Sequence, residues 1–84
     1  MMTAPVSVER SDEVDVLYIS YRKGDVSRTV AVDPKGEILA DLDANGDVLG
    51  IECLSINAAV RADLDAFARR HALMLPPDVD SFAS

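Results

Sequence analysis

One cysteine and one histidine are all the chain holds of either residue. A lone thiol cannot close an internal disulfide, and the pair falls short of the ligand set of a structural zinc site. Tryptophan is absent, and two tyrosines and two phenylalanines leave the core to aliphatic residues. Basic residues are scarce too: 8 Lys and Arg face 15 Asp and Glu, for a formal net charge of −7. That sign disfavours direct contact with a phosphate backbone. It suits basic partners, although plain solubility explains it as well. No apolar run approaches the ~20 residues of a membrane span. The first residues, Met1 to Glu13, show neither a basic nor an apolar signal region, so the expected location is the cytoplasm, where an unpaired thiol is at home.

The 84 residues suit one domain. A core of this scale rarely supplies more than roughly 3–5 kcal/mol, and small domains often need a staple. With disulfide and zinc staples ruled out, association is what remains. The expected partner is a second copy or another protein, with no direct nucleic acid and no membrane.

The most informative stretch is Ile38 to Leu54, ILADLDANGDVLGIECL. It reads as a β-hairpin turning at Asn45-Gly46, the pair favoured in type I′ turns because both central residues need a positive φ. A two-residue loop there sets Leu42 opposite Leu49, Ala40 opposite Ile51 and Ile38 opposite Cys53. Opposed residues share a face, so one face is wholly apolar. The other carries Leu39, Asp41, Asp43, Val48, Gly50 and Glu52. Turn chemistry and apolar pattern select one register.

Upstream, Val6–Arg10 alternates as a first strand with Val6 and Val8 inward, and Ser11-Asp12-Glu13 is turn-like. Val16–Tyr21 and Ser27–Val32 read as further strands. A turn at Gly24-Asp25 would oppose Ile19 to Val30 and Leu17 to Val32. Asp33-Pro34-Lys35-Gly36 makes another turn. Short loops between neighbouring strands suggest a meander.

Downstream, Ser55 or Asn57 can cap a helix starting near Ala58. Val60, Leu64, Phe67, Ala68 and His71 form its apolar stripe. Arg61, Asp65 and Arg69 are spaced for ion pairs, and Pro76-Pro77 ends the helix at or before Leu75. The expected architecture is α+β: an antiparallel β-meander of about four to five strands with one C-terminal helix packed on its apolar face. The domain spans residues 6–75, with 1–5 and 76–84 as flexible or partner-docking tails.

Several groupings could carry chemistry. Asp41, Asp43, Asn45, Gly46 and Glu52 match the spacing of an EF-hand calcium loop. Such a loop needs an entering helix, whereas Asp33-Pro34 and Gly36 precede an alternating, strand-like segment. Its ninth position, Leu49, offers no side-chain oxygen. Asp41, Asp43 and Glu52 also share a face as candidate acid–base carboxylates, against the plainer reading of a solvated surface. Cys53 and His71 could act as nucleophile and base, but an inward cysteine usually serves as a small hydrophobe. Arg22, Lys23 and Arg28 with Tyr18 and Tyr21 suggest a basic-aromatic patch or simple edge protection. No catalytic, cofactor-binding or metal residue is assigned. The leading functional expectation is a non-enzymatic interaction module. Its alternative is a small-molecule-binding or enzymatic domain using polar residues of the outer sheet face.

Asp15-Val-Leu-Tyr-Ile, Arg28-Thr-Val, and Asp41-Leu-Asp-Ala-Asn-Gly-Asp-Val-Leu-Gly-Ile-Glu occur in that order. This succession resembles the small prokaryotic domain-of-unknown-function family numbered 2283, over about Val6 to Leu54. The resemblance implies a compact antiparallel sheet and brings no catalytic residues. Members can be encoded beside small toxin-like genes, which implies an antitoxin-like or partner-binding role for some. The helical segment Ser55–Leu75 departs from that pattern.

Overall fold

The computed structural model describes residues 1–11 and 13–82. Five strands form one antiparallel sheet: β1 (Ser7–Ser11), β2 (Val16–Ser20), β3 (Arg28–Ala31), β4 (Ile38–Leu42) and β5 (Val48–Cys53). Helices α1 (Ala58–Arg70) and α2 (Asp78–Phe82) follow. The class is α+β with a C-terminal helix, as expected. Asp12, expected in the first turn, and Ala83 and Ser84, expected in the tail, lie outside the described residues.

The hairpin of β4 and β5 has the expected body and a different turn. Ile38 faces Cys53 and Ala40 faces Ile51. The reversal, however, is the three-residue loop Ala44-Asn45-Gly46. The Asp43 N–H donates to the Asp47 carbonyl at 3.0 Å, and the Gly46 N–H to the Asp43 carbonyl at 3.0 Å. Gly46 alone takes the left-handed conformation, at φ +85°, as in a type I turn closed by a glycine bulge. The Asp43 carboxylate accepts the N–H groups of Asn45 and Asp47 at 2.9 and 3.0 Å. This loop sets Leu42 opposite Val48 rather than Leu49, and a bulge beside Leu42 restores the register. The buried face dictates pairing along the strands, and one extra residue absorbs the mismatch from the turn. Val48, expected outside, is therefore 4% exposed and part of the core.

The strand order is β1-β2-β5-β4-β3, which corrects the expected adjacency of β2 and β3. Leu17 faces Cys53 and Ile19 faces Ile51, while Val30 faces Ala40. The reason is burial. β5 is buried at five of its six positions and β2 on its inner face, so both belong inside the sheet, and the mostly exposed β3 belongs at an edge. Three strand spacings amount to about 14 Å, within the roughly 20 Å that residues 21–27 can span. β3, β4 and β5 form a local meander with β2 returned beside β5, a Greek key in reverse chain order. Val6, expected inward, precedes β1 and is exposed; Val8 packs on the core.

Leu17, Ile19, Ile38 and Ile51 meet Val60, Leu64, Phe67 and Ala68 of α1 in one core. Asn57 caps α1, its side chain accepting the Val60 N–H at 2.9 Å. At the other end the Leu73 N–H reaches the Ala68 carbonyl at 2.8 Å, and the Ala72 N–H reaches that of Arg69 at 3.3 Å. This is a Schellman closure, with buried Leu73 against Ala68. The position that usually holds glycine holds Ala72, at φ +54°. Ala72→Gly is therefore expected to stabilise the protein by about 0.5 kcal/mol, since relief of left-handed strain exceeds the added freedom of the unfolded chain. A lower thermal midpoint for the variant would contradict this.

Both segments assigned to tails are engaged. The Thr3 N–H donates to the Ala72 carbonyl at 2.7 Å and the Met74 N–H to the Thr3 carbonyl at 2.8 Å. The C-terminal segment folds into α2, which buries Val79 and Phe82 in the domain's own core. Arg61 bonds Asp65 at 3.0 Å and also Asp80, joining α1 to α2, and the Arg10 guanidinium lies 5.2 Å from the centre of the Phe82 ring.

Candidate functional site: the open face of the sheet

Side chains alternate across a strand. With the helices on one side, the other receives Glu9 from β1, Tyr18 from β2, Glu52 from β5, Leu39 and Asp41 from β4 and Thr29 from β3. Paired positions place Glu9 beside Tyr18, Tyr18 beside Glu52 and Glu52 beside Leu39, one row across four strands.

Tyr18 is the fixed point of this face. Its hydroxyl donates to Asp41 Oδ2 at 2.9 Å across the intervening strand β5, and the Thr29 hydroxyl donates to Asp41 Oδ1 at 2.7 Å. The ring can cross β5 because Gly50 has no side chain: a Cβ there would lie 2.6 Å from Tyr18 Cζ and 2.9 Å from Cε2. Partial burial, and then the Asp41 carboxylate, push the Tyr18 phenol up to about 12. The ring is thus held over Gly50 and is partly exposed.

The other expected groupings do not assemble on this face. Asp43 is occupied with the turn amides, while Asp41 and Glu52 project from strands. Strand β4 occupies the place where an EF-hand needs its entering helix. No group of three or more His, Cys, Asp or Glu among the described residues is placed to hold a metal ion. The basic-aromatic patch is divided. Tyr21 is buried, its hydroxyl donating to the Met74 carbonyl at 2.8 Å. Arg22 pairs with Asp47 at 3.5 Å, and Arg28, opposite Leu42, belongs to the helix side of the edge strand.

Cys53 is fully buried opposite Ile38. Burial, with a smaller contribution from Glu52, pushes its thiol up to about 12, far from a reactive thiolate. His71 caps α1, its ring centre 4.3 Å from that of Phe67. Alkylation of native protein at pH 8 is expected to run at least a hundredfold slower than in urea; comparable rates would show Cys53 to be accessible.

A separate surface cavity of about 180 Å³ lies between the Asp33–Lys35 turn and the start of α1. Its wall includes Asp33, buried and accepting the Ile38 N–H at 2.8 Å and the Lys35 N–H at 3.2 Å. Burial alone would raise this carboxyl, but bonds from backbone amides outweigh it and hold the carboxyl below its usual range.

The profile of the family described as "Protein of unknown function (DUF2283)" matches residues 11–57, more than half of the chain. The chain belongs to this family. The matched span holds β2 to β5 and with them Tyr18, Thr29, Asp41, Gly50 and Glu52, while α1 and α2 lie beyond it. No curated protein and no solved structure matches the chain.

The link from Tyr18 to Asp41 is not among the sequence expectations, which pair Val16–Tyr21 with Ser27–Val32 rather than with β5. A signal was present. An isolated glycine within a strand marks a close approach of another group, and Gly50 is one.

Proposed function

We propose that this domain is a non-enzymatic, cytoplasmic protein-binding module whose working surface is the open face of the sheet. One observation carries the reading. The apolar face is filled by the chain's own helices, while the opposite face has no covering element among the described residues and still fixes Tyr18 against Asp41. A side chain held by a 23-residue contact on an uncovered surface is a preorganised contact point. A phenol raised to about 12 is unsuited to act as a nucleophile or base at neutral pH. An antitoxin-like pairing with a partner is one form such binding could take.

Photo-crosslinking tests the proposal. A benzophenone amino acid at Ala31, on the open face, is expected to give a discrete adduct in the native host. The same group at Ala62, on the exposed side of α1, is expected to give none. Equal adducts from both positions, or none from Ala31, would refute the open face as the binding surface.

A further inference from the structure

Resting on that reading, we infer that the open face seats an arginine side chain of the partner, laid on the Tyr18 ring beside the carboxylate of Glu52, with that of Glu9 two strands away. The charges of this face have one sign. Its strand positions carry Glu9, Asp41 and Glu52 and no Lys or Arg, because Arg10 and Arg28 fall on the alternate positions that face the helices. Asp41 is committed to the hydroxyls of Tyr18 and Thr29. Glu9 and Glu52 accept no side-chain hydrogen bond among the described residues. Their backbones flank that of Tyr18 from the neighbouring strands, and the ring leans to the Glu52 side, over Gly50 of β5.

The geometry selects the kind of cation. Glu9 and Glu52 are separated by two strand spacings, about 9–10 Å between backbones. A bare metal ion needs several oxygens within about 2.6 Å, which two carboxylates on either side of a tyrosine do not provide. A guanidinium is planar, stacks on an aromatic face and donates from both edges at once. The ring is already positioned, so little order is lost when the cation arrives. The remaining acidic charge of the chain would draw a basic segment toward this surface before contact.

Titration of the full-length ¹⁵N-labelled protein with an acetylated Gly-Arg-Gly-Arg-Gly-Arg peptide tests the inference. The amides of Glu9, Tyr18 and Glu52 are expected to shift, with binding weakened by salt. A peptide with citrulline for arginine keeps the shape and removes the charge; it should bind at least tenfold more weakly. The E9Q/E52Q double variant should lose about tenfold in affinity, and the charge-matched D63N/D78N control less than twofold. Tyr18→Phe keeps the ring and should keep binding, whereas Tyr18→Leu should lose about threefold.

Equal binding of the citrulline peptide, equal loss in the two charge-matched variants, or no shift at millimolar peptide would each overturn the inference. Concentration-dependent self-association without peptide, abolished by E9Q/E52Q, would name a second copy as the occupant and overturn the hetero-partner. An adduct from Ala31 without arginine preference would overturn this inference and leave the binding-module reading standing.

Discussion

Leu64→Ala is expected to leave much of the protein unfolded at 25 °C. Leu64 is fully buried, at the middle of the α1 stripe and in one cluster with Ile51 and Ile19. Truncating a buried leucine costs about 2–5 kcal/mol through lost burial and the cavity left behind. A small domain has a total of that order, roughly 5 kcal/mol. The helix cannot fill the gap by sliding, because Asn57 caps its start and the bonds of Ala72 and Leu73 close its end. Circular dichroism and the urea midpoint measure the effect. A loss below about 1 kcal/mol would show that α1 does not rest on the sheet as described. Ala62→Ser, on the exposed side of the same helix, should change stability by no more than about 0.5 kcal/mol.

Gly50→Ala should destabilise by about 2–3 kcal/mol, a large change for adding one methyl group. The new methyl would occupy the path of the Tyr18 ring, 2.6 Å from Cζ. Either the strands separate or the ring swings into solvent, so the cost combines overpacking with a lost hydrogen bond to a charged acceptor. The chain has only two tyrosines, which makes the outcome readable by absorbance. In the native protein both phenols are raised to about 12, Tyr18 chiefly by burial and Asp41, Tyr21 chiefly by burial. In the variant one of the two should titrate near 10 while Tyr21 stays raised. The sign follows for stability as well. A raised phenol favours the fold at every pH below about 10, and that contribution fades as pH climbs toward 12. Gly50→Ala should therefore flatten the alkaline loss of stability. Wild-type titration of both tyrosines in the variant would show that the ring does not rest on Gly50.

The sequence carries the elements of this fold more openly than their arrangement. Apolar alternation from Ile38 to Cys53 is strong enough to specify the pairs Ala40–Ile51 and Ile38–Cys53, although the turn inferred at Asn45-Gly46 is a longer one. Two offsets cancel there: a three-residue loop displaces the pairing, and the Leu49 bulge displaces it back. The α1 stripe is legible because it is periodic and capped. Strand order is less so, since β2 and β3 are separated by one short, exposed, turn-rich stretch that closes a hairpin as readily as it crosses a sheet. Burial of the whole sheet, not local chemistry, decides between them. The second helix leaves only a short signature: Pro77 before Asp78, acidic residues in a first turn, and Val79 and Phe82 three apart. The Tyr18–Asp41 contact depends on β2 lying beside β5, so no local pattern could supply it.

The seam between β2 and β5 imposes an order of events on the newly made chain. β3, β4 and β5 meet partners only a short loop away, and β1 meets β2 the same way. Ile19 must wait for Ile51, a partner on the far side of that ribbon. Pairing strands so distant in sequence is disfavoured early, because the chain must be ordered before the contacts offset that cost. The joining of the two ribbons is therefore the step expected to set the clock for folding.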